Sequence, residues 1–305
     1  MSGAKKGTVQ EAMQDKRPNF FMVGAPKTGT SSFFKYLSGH PEIFLPAVKE
    51  LHYFSYPEVS DTYYDIPFVT SESEYLDLFD NRRNEKAAGD LSPSYLFRTE
   101  AAERIRRFQP EARIIISLRN PVERAISHYL MDVRLGYQKR PLAEFMQRTE
   151  ENRLFYEQYI EVGMYSRQIQ AYLEKFGPEN VLILLYDDLV RDRHAYLREI
   201  FRHLGVDQHV AIDMRVHNAF SMPRSGFIRR LIQTGAAKRI SSRLPDSLKR
   251  GIKSVTHSRE RPDLSPDEPQ LAEIFREDIH AVARIIGRDL SHWLPEFRPS
   301  ANICS

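Results

Sequence analysis

The sequence has a single cysteine, Cys304, which excludes an internal disulfide and favours a reducing compartment. Long apolar runs are also missing: the longest, Val181 to Tyr186, has six residues, against roughly 20 for a membrane-spanning helix. Neither H-E-x-x-H nor C-x-x-C occurs, and the ten histidines lack paired spacing, which argues against a zinc site. Residues 1–18 carry charges throughout and no apolar core of secretory-signal length, so we expect a flexible tail there.

The amino-acid composition of the chain is typical of a globular protein. The chain has 305 residues, of which 41% are hydrophobic and 28% charged, enough for one large α/β domain or two small ones. The net charge of +3 conceals a basic segment: residues 224–253 contain nine Lys or Arg and one acid, Asp246. This segment could hold an anionic cosubstrate, a polyanionic acceptor or a peripheral membrane surface, or form a solvated helical face. No nucleic-acid-binding module accompanies it, so we expect no nucleic-acid partner. The sequence carries no indication of oligomeric state.

Short apolar runs alternate with stretches of helical periodicity. This alternation predicts a parallel sheet with helices on both faces, an α/β fold resembling P-loop proteins. Ligands of such sheets collect at the carboxyl ends of the strands. The predicted strands are Phe20–Val23, Lys86–Gly89, Arg113–Leu118 and Val181–Tyr186, and the predicted helices are Ser31–Leu37, Ser71–Phe79, Thr99–Phe108, Val122–Leu135, Pro141–Glu151, Met164–Phe176, Asp188–Leu204 and Pro266–Ile286. We expect residues 206–265 to form a lid or flank on one domain spanning 19–300.

The stretch F-F-M-V-G-A-P-K-T-G-T-S-S, residues 20–32, is typical of a strand that runs into a phosphate-binding turn and a helix. Gly24 and Gly29 have the spacing of the nucleotide loop G-x-x-x-x-G-K-[ST]. Thr30, however, occupies the usual lysine position, and Lys27 lies three residues earlier. The cation of this loop, Lys27, is therefore within the loop itself. It is not at the position from which the lysine of nucleotide-binding loops contacts a Mg²⁺-bound γ-phosphate. Arg119, not an acid, follows the next long strand.

A second anion-binding motif lies at that strand end. Asn120 and Pro121 are suited to begin a helix, and Arg119 and Ser127 flank the strand-to-helix corner. An arginine and a serine so placed can bind a second phosphate. The alternative is a salt bridge from Arg119 to a neighbouring acid.

Together, the two motifs resemble the sulfotransferases that use 3′-phosphoadenosine 5′-phosphosulfate (PAPS), over about residues 20–225. The resemblance implies that the loop Pro26-Lys27-Thr28-Gly29-Thr30-Ser31-Ser32 holds the 5′-phosphosulfate. It further implies that Arg119 and Ser127 hold the 3′-phosphate. A sulfuryl group carries less charge than a terminal phosphoryl group, so Lys27 can stabilise the leaving phosphate without a metal. We therefore expect PAPS as cosubstrate and no metal.

The acceptor side resembles the heparan-sulfate-type and bacterial branch. Its K-E-x-H-[FY]-F segment corresponds to Lys49-Glu50-Leu51-His52-Tyr53-Phe54. In that branch the glutamate is the general base, so the resemblance assigns this role to Glu50. His52 is expected to position Glu50 or the acceptor, or to be a packed structural histidine. Which of Glu50 and His52 is the base stays open.

Two departures from the family pattern concern residues 90–95, D-L-S-P-S-Y. The K-T-H segment of the small-phenol sulfotransferases is absent, which argues against their histidine mechanism. Leu91 also replaces the lysine of the E-K-[ST]-P segment found in polysaccharide-directed members. The missing cation is then absent or supplied elsewhere, with Lys49 as the candidate.

Two further cosubstrate contacts follow from the resemblance. Tyr186, in L-L-Y-D-D, corresponds to a tyrosine that lies against the adenine, or it is a core aromatic. Arg224 corresponds to a residue of the loop that closes over the 3′-phosphate.

The leading hypothesis is an enzyme that transfers the sulfuryl group of PAPS to an acceptor hydroxyl and releases adenosine 3′,5′-bisphosphate. We expect a small-molecule, glycan or lipid acceptor and a bacterial, cytoplasmic location. The alternatives are a P-loop kinase-like phosphotransferase, which predicts dependence on Mg²⁺ and ATP, and a noncatalytic nucleotide-binding or polyanion-binding module. The aromatic residues Tyr53, Phe54, Tyr56, Tyr63 and Tyr64 form an acceptor wall or a packed loop.

Overall fold

The computed structural model describes residues 17–56, 58–64, 66–213 and 262–297, with the backbone of 222–223 and 257–258. Within this part of the chain, five parallel strands form one sheet, and two short segments, Met222–Pro223 and His257–Ser258, pair antiparallel. The strands of the sheet are β1 (Phe20–Gly24), β2 (Ile43–Phe44), β3 (Ala87–Leu91), β4 (Arg113–Leu118) and β5 (Val181–Leu185).

Helices cover both faces of this sheet, so the predicted α/β class is confirmed. None of the helices in the described part is long and apolar enough to cross a membrane. The helices are α1 (Thr30–Ser38), α2 (Glu72–Asp77), α3 (Ser94–Phe97), α4 (Glu100–Phe108), α5 (Pro121–Leu135), α6 (Arg153–Tyr159), α7 (Tyr165–Phe176), α8 (Tyr186–Arg191), α9 (Arg193–Leu204) and α10 (Glu268–Ile286).

The alternation of side chains along β1 separates two apolar cores. Phe21 and Val23 belong to the larger core, which includes residues of α4, α5, α7 and α10. Phe20 and Met22 point to the opposite face and pack with residues of α1 and α9. All five residues of β1 are buried. A strand buried on both faces needs the continuous apolar run that residues 20–23 provide.

The strand order is β2-β3-β1-β4-β5, so β1 lies at the centre. The chain builds β2 and β3 on one side of β1 and then crosses to place β4 and β5 on the other side. All five carboxyl ends lie at one edge of the sheet, because every pairing is parallel. The loops after β1 and β4 flank the point where the order reverses, which is where such sheets bind ligands.

Several predicted elements differ in extent from the observed ones; β3, for example, is Ala87–Leu91 rather than Lys86–Gly89. The helix predicted over Pro141–Glu151 is only a 3₁₀ turn, Leu142–Phe145. The side chain of Asn152 donates to the carbonyls of Glu144 and Gln147 at 3.0 and 2.8 Å, so these backbone groups are satisfied without a helix.

The helix predicted over Asp188–Leu204 is two helices, α8 and α9. The Asp192 side chain accepts a hydrogen bond from the amide of Ala195, and this N-cap begins α9. The strand β5 ends at Leu185 rather than Tyr186, because Asp187 and Asp188 stabilise the first turn of α8. The short elements β2, α3 and α6 were not predicted.

Candidate active site

One pocket of about 1130 Å³ lies at the carboxyl edge of the sheet. Its walls come from the loops after β1 and β4, the segment before Tyr53, the start of α8 and one face of α5. It brings together residues that are up to 242 positions apart, from Pro26 to Glu268. Ten predicted site residues line this pocket: Lys27, Gly29, Thr30, Ser31, Ser32, Glu50, His52, Arg119, Ser127 and Tyr186.

The loop after β1 turns at Gly29, which has φ 90° and precedes the first residue of α1. This left-handed conformation favours glycine. Thr30, Ser31 and Ser32 form the first turn of α1, whose first amides have no partner within the helix and attract anions. Thr28 differs from its neighbours: its side chain is fully buried and donates to the carbonyl of Ala25 at 2.7 Å. The Thr28 side chain therefore holds the loop in shape instead of facing the pocket.

Lys27 is a largely buried cation. Its ammonium donates to the thioether of Met131 at 3.2 Å, and sulfur is a weak acceptor. Burial is the main reason why the pKa of Lys27 is lowered to about 8. The nearby Arg134 guanidinium also lowers this pKa, and its effect is larger than the opposite effect of the Asp132 carboxylate. A buried lysine without a strong acceptor is electrostatically unsatisfied, and an anionic ligand would stabilise its charged form.

The second predicted anion site is assembled at the end of β4. Asn120 caps α5 by accepting from the amide of Val122 at 2.9 Å, as its position predicts. The Arg119 guanidinium lies over the ring of Tyr186, 4.8 Å from its centroid, and donates to the Lys27 carbonyl at 3.2 Å. It also pairs with Glu123 at 3.1 Å, which is the salt bridge considered as the alternative.

Glu123 and the Lys27 carbonyl do not occupy the Arg119 guanidinium fully, because they accept three hydrogen bonds from a group that has five N–H donors. Ser127 lies one turn beyond Glu123 on the same face of α5 and also lines the pocket. Arg119 and Ser127 are thus placed to bind one anion together, with the aromatic ring of Tyr186 beside them.

Glu50 is held by its neighbour in sequence. The Lys49 ammonium lies 2.9 Å from a carboxylate oxygen of Glu50 and donates to the hydroxyl of Ser31 at 2.8 Å. Lys49 therefore joins the predicted base to the first turn of α1. This position agrees with the expectation that Lys49 supplies the cation that Leu91 lacks, since Leu91 is buried in the core.

His52 is buried and hydrogen-bonded on two sides. Its Nδ1 lies 2.8 Å from the hydroxyl of Ser94, and its amide donates to the hydroxyl of Ser92 at 3.2 Å. Ser92 in turn donates to the buried carboxylate of Asp90 at 2.6 Å. Burial lowers the pKa of His52, so its neutral form is favoured, although Glu50 opposes the shift. The histidine thus both lines the pocket and is fixed by structural hydrogen bonds.

Backbone strain is concentrated in this pocket. In the part of the chain that the structure describes, three non-glycine residues have a left-handed backbone: Lys27 (φ 72°), Glu50 (φ 61°) and His52 (φ 58°). Such conformations cost free energy and cluster at active sites and ligand clamps. The three are also the residues predicted as catalytic from the sequence, and all three line the pocket.

Several pocket residues were not predicted. Met131 and Arg134 line the pocket from α5, together with His128. The helical spacing of Ser127, Met131 and Arg134 is i, i+4 and i+7, so this face was detectable once Ser127 was assigned to the site. Of the aromatic segment, Tyr64 lines the pocket, whereas Phe54 is buried in the core as in the packed-loop alternative. Arg224 and most of the predicted lid lie outside the described residues.

Comparisons with known proteins agree with this geometry. A family model described as the sulfotransferase domain matches residues 17–243. The chain is similar to the solved structure of a sulfotransferase from Alicyclobacillus acidocaldarius: the identity is 32%, the TM-score is 0.70, and 91% of this chain and 98% of that chain are covered.

Curated relatives match over shorter stretches. Mouse heparan sulfate glucosamine 3-O-sulfotransferase 3A1 is 27% identical over 212 residues, which cover 67% of this chain and 50% of the relative. Membrane-associated sulfotransferase kil1 of Dictyostelium discoideum is 31% identical over 129 residues, covering 42% of this chain and 26% of the relative. The chain thus spans half or less of these two curated relatives.

Proposed function

Since the chain belongs to the sulfotransferase domain family, we propose that it transfers the sulfuryl group of PAPS to an acceptor hydroxyl. In this reaction the acceptor oxygen forms a bond to sulfur while the bond from sulfur to the bridging phosphate oxygen breaks. The acceptor proton passes to the protein, and adenosine 3′,5′-bisphosphate leaves with the electron pair of the broken bond.

The observation that carries the proposal is the convergence of Lys27, Glu50 and His52 in one pocket. All three have strained left-handed backbones, and they share the pocket with Arg119. Lys27 comes from the loop after β1, and the other two come from the segment before Tyr53. Left-handed non-glycine residues cluster at active sites and ligand clamps, so we attribute the strain to the placement of a cation, a carboxylate and an imidazole around reacting atoms.

The cosubstrate fits the distribution of positive charge. Lys27 and the first turn of α1 suit the 5′-phosphosulfate, and Arg119 with Ser127 suits the 3′-phosphate. The buried ammonium of Lys27 would stabilise the charge that develops on the bridging oxygen. The ring of Tyr186, already stacked on Arg119, is placed for the adenine. We expect no metal requirement, because Lys27 supplies the charge that a metal provides in kinases.

Glu50 is the proposed general base, and the Lys49 ion pair orients its carboxylate. His52 is proposed to orient the acceptor, since Ser94 and Ser92 fix it and burial favours its neutral form. A glycan, a lipid or a secondary metabolite is the proposed acceptor class. The likeness to the heparan sulfate sulfotransferase supports a glycan acceptor. We propose a cytoplasmic location for the enzyme.

The test is a screen of hydroxyl acceptors with ³⁵S-labelled PAPS, run with and without EDTA. We expect labelled product in both conditions. Glu50→Gln should lower turnover by about 10²- to 10⁴-fold while the affinity for adenosine 3′,5′-bisphosphate is retained. A noncatalytic binding module would be indifferent to this substitution. Transfer that depends on ATP and Mg²⁺ instead of PAPS would refute the proposal.

A further inference from the structure

Arg134 is a pocket residue for which the proposed reaction has given no role. It lies in the last turn of α5, is half-buried, and lines the pocket beside Met131. Its guanidinium makes no hydrogen bond and no ion pair with any residue that the structure describes. It also lies close enough to Lys27 to lower the pKa of that lysine. Two neighbouring cations, neither of which forms an ion pair with a described residue, make this end of the pocket strongly positive.

The nearby acids cannot neutralise Arg134, because each is engaged elsewhere. Asp132 is fully buried, and its carboxylate accepts hydrogen bonds from the hydroxyls of Tyr63, Tyr64 and Tyr159. Asp61 also lines the pocket but pairs with Arg153 at 2.7 Å.

The remaining acids near the reacting centre are committed as well: Glu50 pairs with Lys49, and Glu123 pairs with Arg119. A guanidinium that is half-buried and unpaired, in a pocket whose nearby carboxylates are occupied, is suited to a charged group of the ligand.

The position of Arg134 along α5 separates it from the cosubstrate's 3′-phosphate. Seven residues of helix, rising 1.5 Å each, place its backbone about 10 Å beyond that of Ser127. Thr62, Tyr64 and Leu135 line the same pocket. At that separation from Ser127, a group bound by Arg134 is a different part of the ligand from the 3′-phosphate, and we assign it to the acceptor.

We propose that Arg134 is a specificity-determining residue that binds an oxyanion of the acceptor. The acceptor is then a hydroxyl compound that carries a carboxylate, sulfate or phosphate group near the hydroxyl. This inference rests on the proposed sulfuryl transfer, and it narrows the acceptor class from any hydroxyl compound to an acidic one. Because guanidinium presents two parallel N–H groups, a planar oxyanion can be bound by two hydrogen bonds.

The experiment compares matched acceptors: phenyl β-glucoside with phenyl β-glucuronide, and with the 6-sulfate and 6-phosphate of the glucoside. Affinity is measured by calorimetry in the presence of adenosine 3′,5′-bisphosphate, and turnover is measured with labelled PAPS. We expect the full-length protein to prefer at least one anionic member about ten- to hundredfold over the neutral glucoside. The three anionic members distinguish a carboxylate site from a sulfate or phosphate site.

Arg134→Gln should reduce this preference to near one, and Arg134→Lys should restore part of it. Affinity for adenosine 3′,5′-bisphosphate and PAPS should not change. The control, Arg107→Gln, removes an equal charge from an exposed position on α4, outside the pocket, and should keep the preference.

The outcomes separate the two proposals. If no acceptor receives the sulfuryl group of PAPS, the proposed function fails. If transfer occurs but no anionic member is preferred, or the preference survives Arg134→Gln, only the role of Arg134 fails. Weaker binding of PAPS to Arg134→Gln would place this residue at the cosubstrate and would likewise overturn the inference.

Discussion

The ammonium of Lys49 lies 2.9 Å from the carboxylate of Glu50, and the same ammonium donates to the hydroxyl of Ser31. One lysine thus connects the proposed base to α1, the helix proposed to face the 5′-phosphosulfate. Because Ser31 is in the first turn of α1, a ligand bound there shares its contacts with the group that orients Glu50. The connection couples the cosubstrate loop to the acceptor side of the pocket.

We predict that Lys49→Met lowers turnover by about 10- to 100-fold, because Glu50 loses the ion pair that fixes its carboxylate. Affinity for adenosine 3′,5′-bisphosphate should fall much less, since that ligand lacks the sulfuryl group. The control is Lys35→Met, which changes an exposed lysine on α1 that lies outside the pocket. Steady-state kinetics with PAPS and calorimetry with the bisphosphate are the measurements. Equal losses in turnover and in bisphosphate affinity would contradict this role.

Binding of adenosine 3′,5′-bisphosphate should weaken as the pH rises above about 8, the pKa to which burial lowers Lys27. Above that pH the free protein loses the Lys27 charge, so binding requires uptake of a proton, and the affinity falls by up to about tenfold per pH unit. Calorimetry between pH 7 and 9.5 measures the slope, because the ligand's phosphates are already ionised there. Lys27→Met should bind weakly with a flat profile, and a slope that persists in this variant would exclude Lys27 as its source.

The same burial predicts that Lys27 destabilises the ligand-free fold. Its folded pKa of about 8 lies below the ordinary lysine pKa of 10.5, so the folded state binds fewer protons between these pH values. The contribution of Lys27 to the free energy of unfolding therefore increases as the pH rises from about 8 to 10.5. At pH 7 the buried charge of Lys27 destabilises the folded state. Lys27→Met should raise the free energy of unfolding at pH 7 by about 1–3 kcal/mol. Urea unfolding at pH 7 and 10 checks this, and an equal change at both values would argue against the charge as cause.

Arg119→Ala should remove the discrimination between adenosine 3′,5′-bisphosphate and AMP. The guanidinium is the charged group proposed for the 3′-phosphate, and loss of such a charge-assisted contact costs about 1.5–3 kcal/mol, or roughly ten- to hundredfold in affinity. AMP binding should change little. Arg202→Ala, an exposed arginine on α9, is the control. Both affinities are measured by calorimetry, and a variant that still prefers the bisphosphate as strongly as the original protein would refute the assignment.

Asp132→Asn should destabilise the fold by about 1–3 kcal/mol, because the amide replaces one acceptor oxygen with a donor that faces a tyrosine hydroxyl. The carboxylate joins Tyr63 and Tyr64 to α5, so the segment that carries Tyr64 into the pocket should also loosen. Urea unfolding measures the first effect, and hydrogen exchange at residues 58–64 measures the second. Tyr159→Phe removes a single hydroxyl from the same carboxylate at 2.7 Å and should have a smaller effect on both.

Much of the site could be predicted because its parts are encoded locally. An apolar run followed by Gly24 and Gly29 specifies a strand and a tight turn, and Arg119, Asn120 and Pro121 specify a strand end and a helix start. In a parallel sheet the carboxyl ends of all strands meet at one edge, so these two motifs had to lie near each other. The helix predicted over 141–151 is wrong for a reason that is also local: the side chain of Asn152, the next residue, satisfies the carbonyls of Glu144 and Gln147 without a helix.

The sequence by itself determined the α/β class, four of the five strands of the sheet and the two anion-binding motifs, because turn chemistry and apolar periodicity act over a few residues. Only the tertiary structure decided which distant side chains meet: Lys27 with Met131, and Asp132 with Tyr63. It also decided that Arg134 has no ion-pair partner among the described residues. Such contacts depend on how α5 packs across the sheet edge, and no local pattern records the distance between side chains that lie 70 or 100 positions apart.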